Sequence, residues 1–236
     1  MAHLSRIAAP KSWSIPRKGR KWVTRTSPGP HSLESSINLS VLLKYVLNYA
    51  NTNRDIKRIL NNGEIKVDSK IRKDLHFPIG LMDTLSFEKI NEYYRLLINK
   101  NGKFILNKIS KEESTVKPYK VINKTVLGKD KIQLNLTSGK NIIINKDEFK
   151  VSDTLLIDIS NNKIREHIPL KEGAVIYLIG GSKIGHVGKT VSIFESRSIQ
   201  PPKIIFSIGK EKHETLKEYA FVIGVDSPNI TVPGNE

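Results

Sequence analysis

Several kinds of chemistry are excluded by what this chain lacks. It has no cysteine among its 236 residues, which rules out disulfides and thiolate metal sites. The six histidines, His3, His31, His76, His167, His186 and His213, are scattered and form no H-x-x-x-H pair. No structural metal is expected from them. No apolar run approaches the ~18–20 residues that cross a bilayer. The basic N-terminus has no apolar segment of the kind a secretory signal needs, so a cytoplasmic protein is expected. The dinucleotide, nucleophile-elbow and H-E-x-x-H patterns are all missing. Glu112-Glu113 and Asp147-Glu148 are adjacent carboxylates, but neighbours on a strand point to opposite faces and make poor acid/base couples. No catalytic residue, cofactor or small-molecule substrate is expected.

One stretch imitates a nucleotide site. Gly180–Phe194 reads GGSKIGHVGKTVSIF. A phosphate-binding P-loop needs a glycine five residues before Gly188, and that position is Lys183. Gly181 and Gly185 are out of register. A P-loop also opens a helix, whose N-terminal N–H groups hold the phosphates. Here Thr190-Val-Ser-Ile-Phe194 follows, β-branched and alternating, which predicts a strand. The segment therefore reads as strand, glycine loop, strand.

Charge of one sign is abundant. The chain carries 39 Lys+Arg against 23 Asp+Glu, a formal net charge of +16. A polyanion is the natural partner, because each cation that neutralises a phosphate releases condensed counterions. An anionic membrane fits less well, since no basic amphipathic helix with aromatic anchors occurs. The excess lies toward the N-terminus: residues 1–36 hold 7 basic and 1 acidic residue, whereas 173–236 hold 7 and 6.

Residues 1–36 read as an extended basic arm. Pro10, Pro16, Pro28 and Pro30 break any helix. Trp13 and Trp22 sit among Lys11, Arg17, Lys18, Arg20, Lys21 and Arg25, an interleaving that suits RNA, although either indole could instead pack inside. With no acid before Glu34, the arm is expected to order only against an anion.

Residues 37–62 predict two helices. Leu39, Leu42, Leu43, Val46 and Leu47 make one apolar stripe, and Lys44 lies on this first helix. The second is capped by Thr52 with Asp55 three residues on, and Asn62-Gly63 ends it. A short strand, Glu64–Val67, and a turn at Asp68–Lys70 follow. Arg54, Lys57 and Arg58 share one helix face, and Lys66, Lys70, Arg72 and Lys73 continue the basic surface. Residues 93–172 predict short strands at Tyr93–Ile98, Lys103–Ile109, Lys117–Val126, Lys131–Leu136, Asn141–Ile144, Thr154–Asp158 and Lys163–Ile168. Asn101-Gly102, Ser138-Gly139 and Asn161-Asn162 supply turns.

Residues 38–83, NLSVLLKYVLNYANTNRDIKRILNNGEIKVDSKIRKDLHFPIGLMD, resemble the S-four (alpha-L) RNA-binding domain. The Gly180–Phe194 stretch resembles a KOW motif, in which Gly181, Gly185 and the obligate Gly188 shape a loop of an SH3-like barrel and Lys183 and Lys189 supply charge. An arm with HLSRIAAPKSW and SPGPHS, then FPIGLMD, a β region, the KOW motif and FVIGVDSPNITVP together resemble the small-subunit ribosomal protein family called S-four-e, known from archaea and eukaryotes. The short tail after Pro228 fits the archaeal length.

That resemblance implies an α+β, mostly β, non-catalytic protein. Its expected parts are an arm (1–36), a small helical S-four RNA-binding domain (37–104), a β-barrel-like central domain (105–172) and a KOW barrel with a short tail (173–236). It implies contact with small-subunit rRNA and neighbouring small-subunit proteins. The cations expected on RNA are the arm residues named above together with Lys44, Arg54, Lys57, Arg58, Lys66, Lys70, Arg72, Lys73, Lys183 and Lys189. Two alternatives use the same parts. An S-four-domain RNA-modifying enzyme would need a catalytic domain of ~150 residues or more, for which no room remains. A KOW-bearing elongation factor leaves the arm and the S-four segment unexplained.

Overall fold

The computed structural model describes residues 3–128, 131–194 and 200–233. It is an α+β structure dominated by strands. The chain divides into two units: Met1–Ile98 with Gly102–Lys117, and Asn99–Asn101 with Pro118–Glu236. These do not coincide with the four expected segments. The arm belongs to the first unit, which runs to Lys117 rather than 104. Residues 118–172 and 173–236 share the second.

The arm is not extended. β1 (Leu4–Ser5) pairs antiparallel with β2 (Trp22–Val23), Leu4 opposite Val23. Between them Trp13 is only 1% exposed, and its indole N–H donates to the Ser36 carbonyl at 2.6 Å. The arm thus carries its own apolar anchor and folds against protein, contrary to the expectation that it orders only on an anion.

β3 (Ser36–Asn38) leads into α1 (Leu39–Val41), capped by the Asn38 side chain, which accepts from the Val41 N–H at 2.7 Å. The helix does not continue as an ordinary α-helix; Leu42–Val46 form a π turn. Its apolar stripe is placed as expected, with Leu39, Leu42 and Leu43 fully buried. α2 (Asn53–Asn61) begins at Thr52, whose hydroxyl accepts from the Asp55 N–H at 3.2 Å, and is followed by Gly63 at φ +71°. β4 (Ile65–Val67), β5 (Lys70–Ile71), β7 (Thr84–Phe87), β8 (Glu92–Ile98) and β9 (Phe104–Lys108) form a sheet ordered β5-β4-β7-β8-β9, while β6 (Pro78–Gly80) pairs with β3.

A charged network is buried in this unit. Lys117, with its side chain 2% exposed, donates to Asp83 and to Asp68, the latter at 2.6 Å. His31 Nε2 meets the same Asp83 carboxylate at 2.9 Å, and Asp83 also accepts from the Gly80 N–H at 2.9 Å. Burial alone would raise the Asp83 carboxyl; the Lys117 ammonium and His31 overcome it and hold it at about 2. Asp68 goes the other way, raised by burial and by the Asp83 charge. Gly80 makes room for the network. A Cβ there would fall 2.1 Å from His31 Nδ1.

β10 (Val116–Gly128) enters the second unit at Pro118, where it joins β11 (Lys131–Leu136), β12 (Asn141–Ile144), β13 (Thr154–Asp158) and β14 (Ile164–Ile168) in a sheet ordered β12-β11-β10-β13-β14. Its core gathers Tyr119, Val121, Leu134, Leu136, Leu155 and Ile157. β15 (Val175–Leu178), β16 (Val187–Phe194), β17 (Lys203–Ile208), β18 (Glu211–Leu216) and β19 (Ala220–Gly224) form the other sheet, ordered β18-β17-β16-β15-β19. Lys120 on β10 joins the two sheets. Its ammonium donates to the carbonyls of Lys217 (3.1 Å), Glu218 (2.7 Å) and Ala220 (2.7 Å). Burial lowers this lysine to about 8.

Two outcomes follow from the buried cations. Lys117→Met leaves Asp83 charged without its main partner and should destabilise the protein by about 3–5 kcal/mol in urea melts at pH 7. Wild-type Asp83 has a depressed folded pKa, so its stabilisation is present above ~4 and is lost as pH falls toward 2. In the variant, burial dominates and raises that pKa, so the gap to wild type should narrow on going from pH 7 to pH 3. Lys120→Met leaves three carbonyls without their donor and should cost about 1–3 kcal/mol by the same measurement.

Candidate nucleic-acid interface

The folded arm sorts its own cations. Arg17 donates to the carbonyls of Arg6 (2.6 Å), Ala9 (2.7 Å) and Pro10 (2.7 Å). It is a backbone clamp, not the free phosphate contact expected from sequence. Arg6, which sequence reasoning passed over, is buried. It donates to the Pro16 carbonyl at 2.9 Å and to the Tyr45 hydroxyl, with its guanidinium 5.3 Å from the Tyr45 ring centroid. The other arm cations, Lys11, Lys18, Arg20, Lys21 and Arg25, are exposed. Trp22 is 49% exposed, with the Lys21 ammonium 4.9 Å from its ring and His3 beside it at 5.1 Å.

α2 turns Ile56 and Leu60 into the core, which sets Arg54, Lys57 and Arg58 facing outward and exposed. Further on, the expected cations divide. Lys66 pairs with Glu88 at 2.5 Å, and the Arg72 guanidinium lies 4.2 Å over Phe77. Lys70 and Lys73 are exposed.

The arm and the helices meet at one open cleft of about 440 Å³. Arg20 and Arg25 reach it from the arm, Lys44 and Lys57 from the helical segment, and Trp22 and Tyr45 line its wall. No aspartate or glutamate is among its lining residues. His76, also in the lining, is fixed by a 2.7 Å hydrogen bond to the Arg25 carbonyl. Residues far apart in sequence therefore build a single cationic, partly aromatic surface.

The chain matches the family described as "Ribosomal family S4e" over residues 90–164, and the RS4NT domain over residues 2–34. It is 40% identical over 233 residues to the small ribosomal subunit protein eS4 of Methanosphaera stadtmanae, covering 99% of this chain and 96% of that relative. It is 39% identical to the eS4 of Methanocaldococcus jannaschii, covering 97% and 96%. The chain belongs to the eS4 family. The crystal structure of the 30S ribosomal protein S4e from Thermoplasma acidophilum resembles it with a TM-score of 0.71 at 29% identity, covering 80% of this chain and 95% of that one. The family resemblance read from the sequence motifs agrees with these matches.

In this eS4 chain the glycine-rich stretch has no helix after it. Gly188, Lys189 and Thr190 lie on β16, with Lys189 opposite Ser207 of β17, Lys189 exposed and Thr190 buried. The glycines have separate reasons to be there. Gly185 has φ +75°, and a Cβ on it would lie 2.4 Å from the backbone of Asn99. At Gly188 a Cβ would meet the Ser207 carbonyl oxygen at 2.8 Å and Phe206 at 2.9 Å, so the strand can approach its neighbour only without a side chain. Gly181 has φ +82° but open surroundings, its nearest neighbours at 3.5 Å. Lys183 is half-buried.

In each adjacent carboxylate pair singled out in the sequence, one member is tied to a separate cation. Glu113 pairs with Arg95, and Asp147 with Lys124. Among the described residues no group of three or more His, Asp or Glu could hold a metal ion, and no helix is long and apolar enough to cross a membrane.

The glycine geometry sets an order of sensitivity. Gly181→Ala should cost about 1–3 kcal/mol from left-handed strain alone. Gly185→Ala adds a backbone collision to the same strain. Its urea midpoint should fall further than that of Gly181→Ala.

Proposed function

We propose that the chain is a structural constituent of the small ribosomal subunit, binding small-subunit rRNA and packing beside other proteins of that subunit in the cytoplasm. The observation that carries this is full-length likeness to proteins named small ribosomal subunit protein eS4, such as one 40% identical over 99% of the chain. The acid-free cationic cleft supplies the chemistry such a role needs. No catalytic group is invoked. The likeness to proteins named small ribosomal subunit protein eS4 favours this reading over an RNA-modifying enzyme, and the arm sets the chain apart from an elongation factor.

In this reading residues 37–104 act as the S-four-type RNA-binding domain, and the β15–β19 sheet with its glycine loop as the SH3-like KOW barrel. Phosphates are gripped by Lys11, Lys18, Arg20, Lys21 and Arg25 of the arm, by Lys44, Arg54, Lys57 and Arg58, by Lys70 and Lys73, and by Lys183 and Lys189. Such contacts fix position and register; they carry little base information. Arg17 is left out of this set, because three of its guanidinium donors already hold backbone carbonyls. Arg72 contributes charge while lying over Phe77, whereas the charge of Lys66 is offset by its pair with Glu88.

The test is binding of the full chain to small-subunit rRNA fragments across a salt series, with tRNA and ATP as controls. One fragment should bind tightly, with log K falling against log[salt] by about 0.7–0.9 per phosphate neutralised. Replacing Arg54, Lys57 and Arg58 together by Glu should weaken binding by roughly tenfold or more at ~0.1 M salt, with an unchanged circular dichroism spectrum. Unchanged affinity in that folded variant would remove α2 from the interface.

A further inference from the structure

We propose that the cleft between the arm and the helices takes one unpaired nucleotide of the RNA, its base on Trp22 and its phosphates among Arg20, Arg25, Lys44 and Lys57. The inference rests on the rRNA-binding reading above and narrows it from a charged surface to a pocket for a single extruded residue.

Three observations converge. The first is the wall chemistry. Five cations, Arg6, Arg20, Arg25, Lys44 and Lys57, line a space that holds no carboxylate, so a dianionic or strand phosphate enters without a competing charge, whereas a protein side chain would have to be acidic. The second is size. About 440 Å³ lies in the range of pockets that accept small molecules of ~300–1,000 Å³. A duplex, whose bases stay stacked inside the helix, cannot place one of them in such a space, while one splayed nucleotide can. The third is the exposed indole. Tyr45 is already committed, its hydroxyl to Arg6 and its ring to the Arg6 guanidinium at 5.3 Å and the Lys44 ammonium at 5.6 Å. Trp22 has ring partners as near, but they are themselves exposed and displaceable. It stands half-exposed on a two-residue strand, and its neighbours are the exposed side chains of His3 and Lys21. A flat ring and a cation already rest on it; a base with its phosphate presents the same flat face and the opposite charge.

Paired RNA keeps its bases stacked inside the helix and can offer this cleft only phosphates. An unpaired nucleotide offers both halves of the ligand, as in aromatic platforms that bind single strands. The proposal therefore distinguishes paired from unpaired RNA at equal charge.

The experiment compares a blunt RNA hairpin with a hairpin carrying a short single-stranded tail and the same number of phosphates, at fixed salt, using the full chain. Subtracting the emission of Trp22→Phe from that of wild type isolates Trp22 from the buried Trp13. Trp22 emission should be quenched by the tailed RNA and not by the blunt one. Trp22→Ala should weaken the tailed RNA by between about fivefold and about a hundredfold, leave the blunt one unchanged, and be largely rescued by Trp22→Phe. Equal quenching by both RNAs, or none by either, overturns the nucleotide pocket even if the alanine variant proves poorly folded. So does an equal loss on both RNAs for Trp22→Ala. Saturable quenching by AMP at the concentrations where the tailed RNA binds would instead make the cleft a site for free nucleotides and overturn its assignment to a strand. Binding that survives these failures, and still falls when Arg20, Arg25 and Lys57 are replaced by Glu, leaves the rRNA reading standing. Salt-insensitive binding unaffected by those replacements sinks the rRNA reading itself.

Discussion

The first unit is organised around one buried ammonium. Lys117 lies between Asp83 and Asp68, and His31 closes on Asp83 from the other side. These four residues come from the arm, the β4–β5 turn, the loop before β7 and the start of β10. Isolated ions buried so deeply would be very unfavourable, so each element is acceptable only when the others are in place. Such a network specifies an arrangement more than it adds net stability. It fixes where the end of the arm lies, and through the arm it fixes the wall of the cleft.

The network also explains why two short motifs travel together. SPGPHS and FPIGLMD are about fifty residues apart, and each reads as an ordinary turn. In the structure His31 of the first sits where Gly80 of the second leaves space, and reaches Asp83 at its end. The two strings are the halves of one contact. Met82 at φ +67° belongs to the same tight passage. Nothing in local propensity reveals this, because the partner of each motif is distant in sequence.

Much of the rest was legible. Lys131–Leu136, Asn141–Ile144 and Thr154–Asp158 fall where alternation and turn residues place them, and Ser138, Gly139 and Asn162 take positive φ at the expected turns. The Thr52 cap and Gly63 bound α2 as read. Thr84–Phe87 was missed although Thr-Leu-Ser-Phe alternates: four residues are the minimum for such a pattern, and burial of all four became visible only in the structure. The arm was misjudged because composition counts charges without saying what they face. Arg17 and Arg20 are indistinguishable in the string; one points into a nest of carbonyls and the other into the cleft. The strand read after the glycines is present as β16, but only the structure separates Gly185 and Gly188, where a side chain would collide, from Gly181, which needs only its φ.

The arm's choice of acceptors has an electrostatic consequence. Arg6 and Arg17 are held by carbonyl oxygens and a phenol, not by carboxylates. A carboxylate would have anchored them as firmly and cancelled their charge at the same time. Neutral acceptors leave the monopole intact, so folding the arm concentrates its positive potential without diluting it. Rigidity and long-range attraction, which usually compete for the same side chains, are here assigned to different atoms: the carbonyls supply order, and the uncancelled guanidinium charge still reaches into solvent.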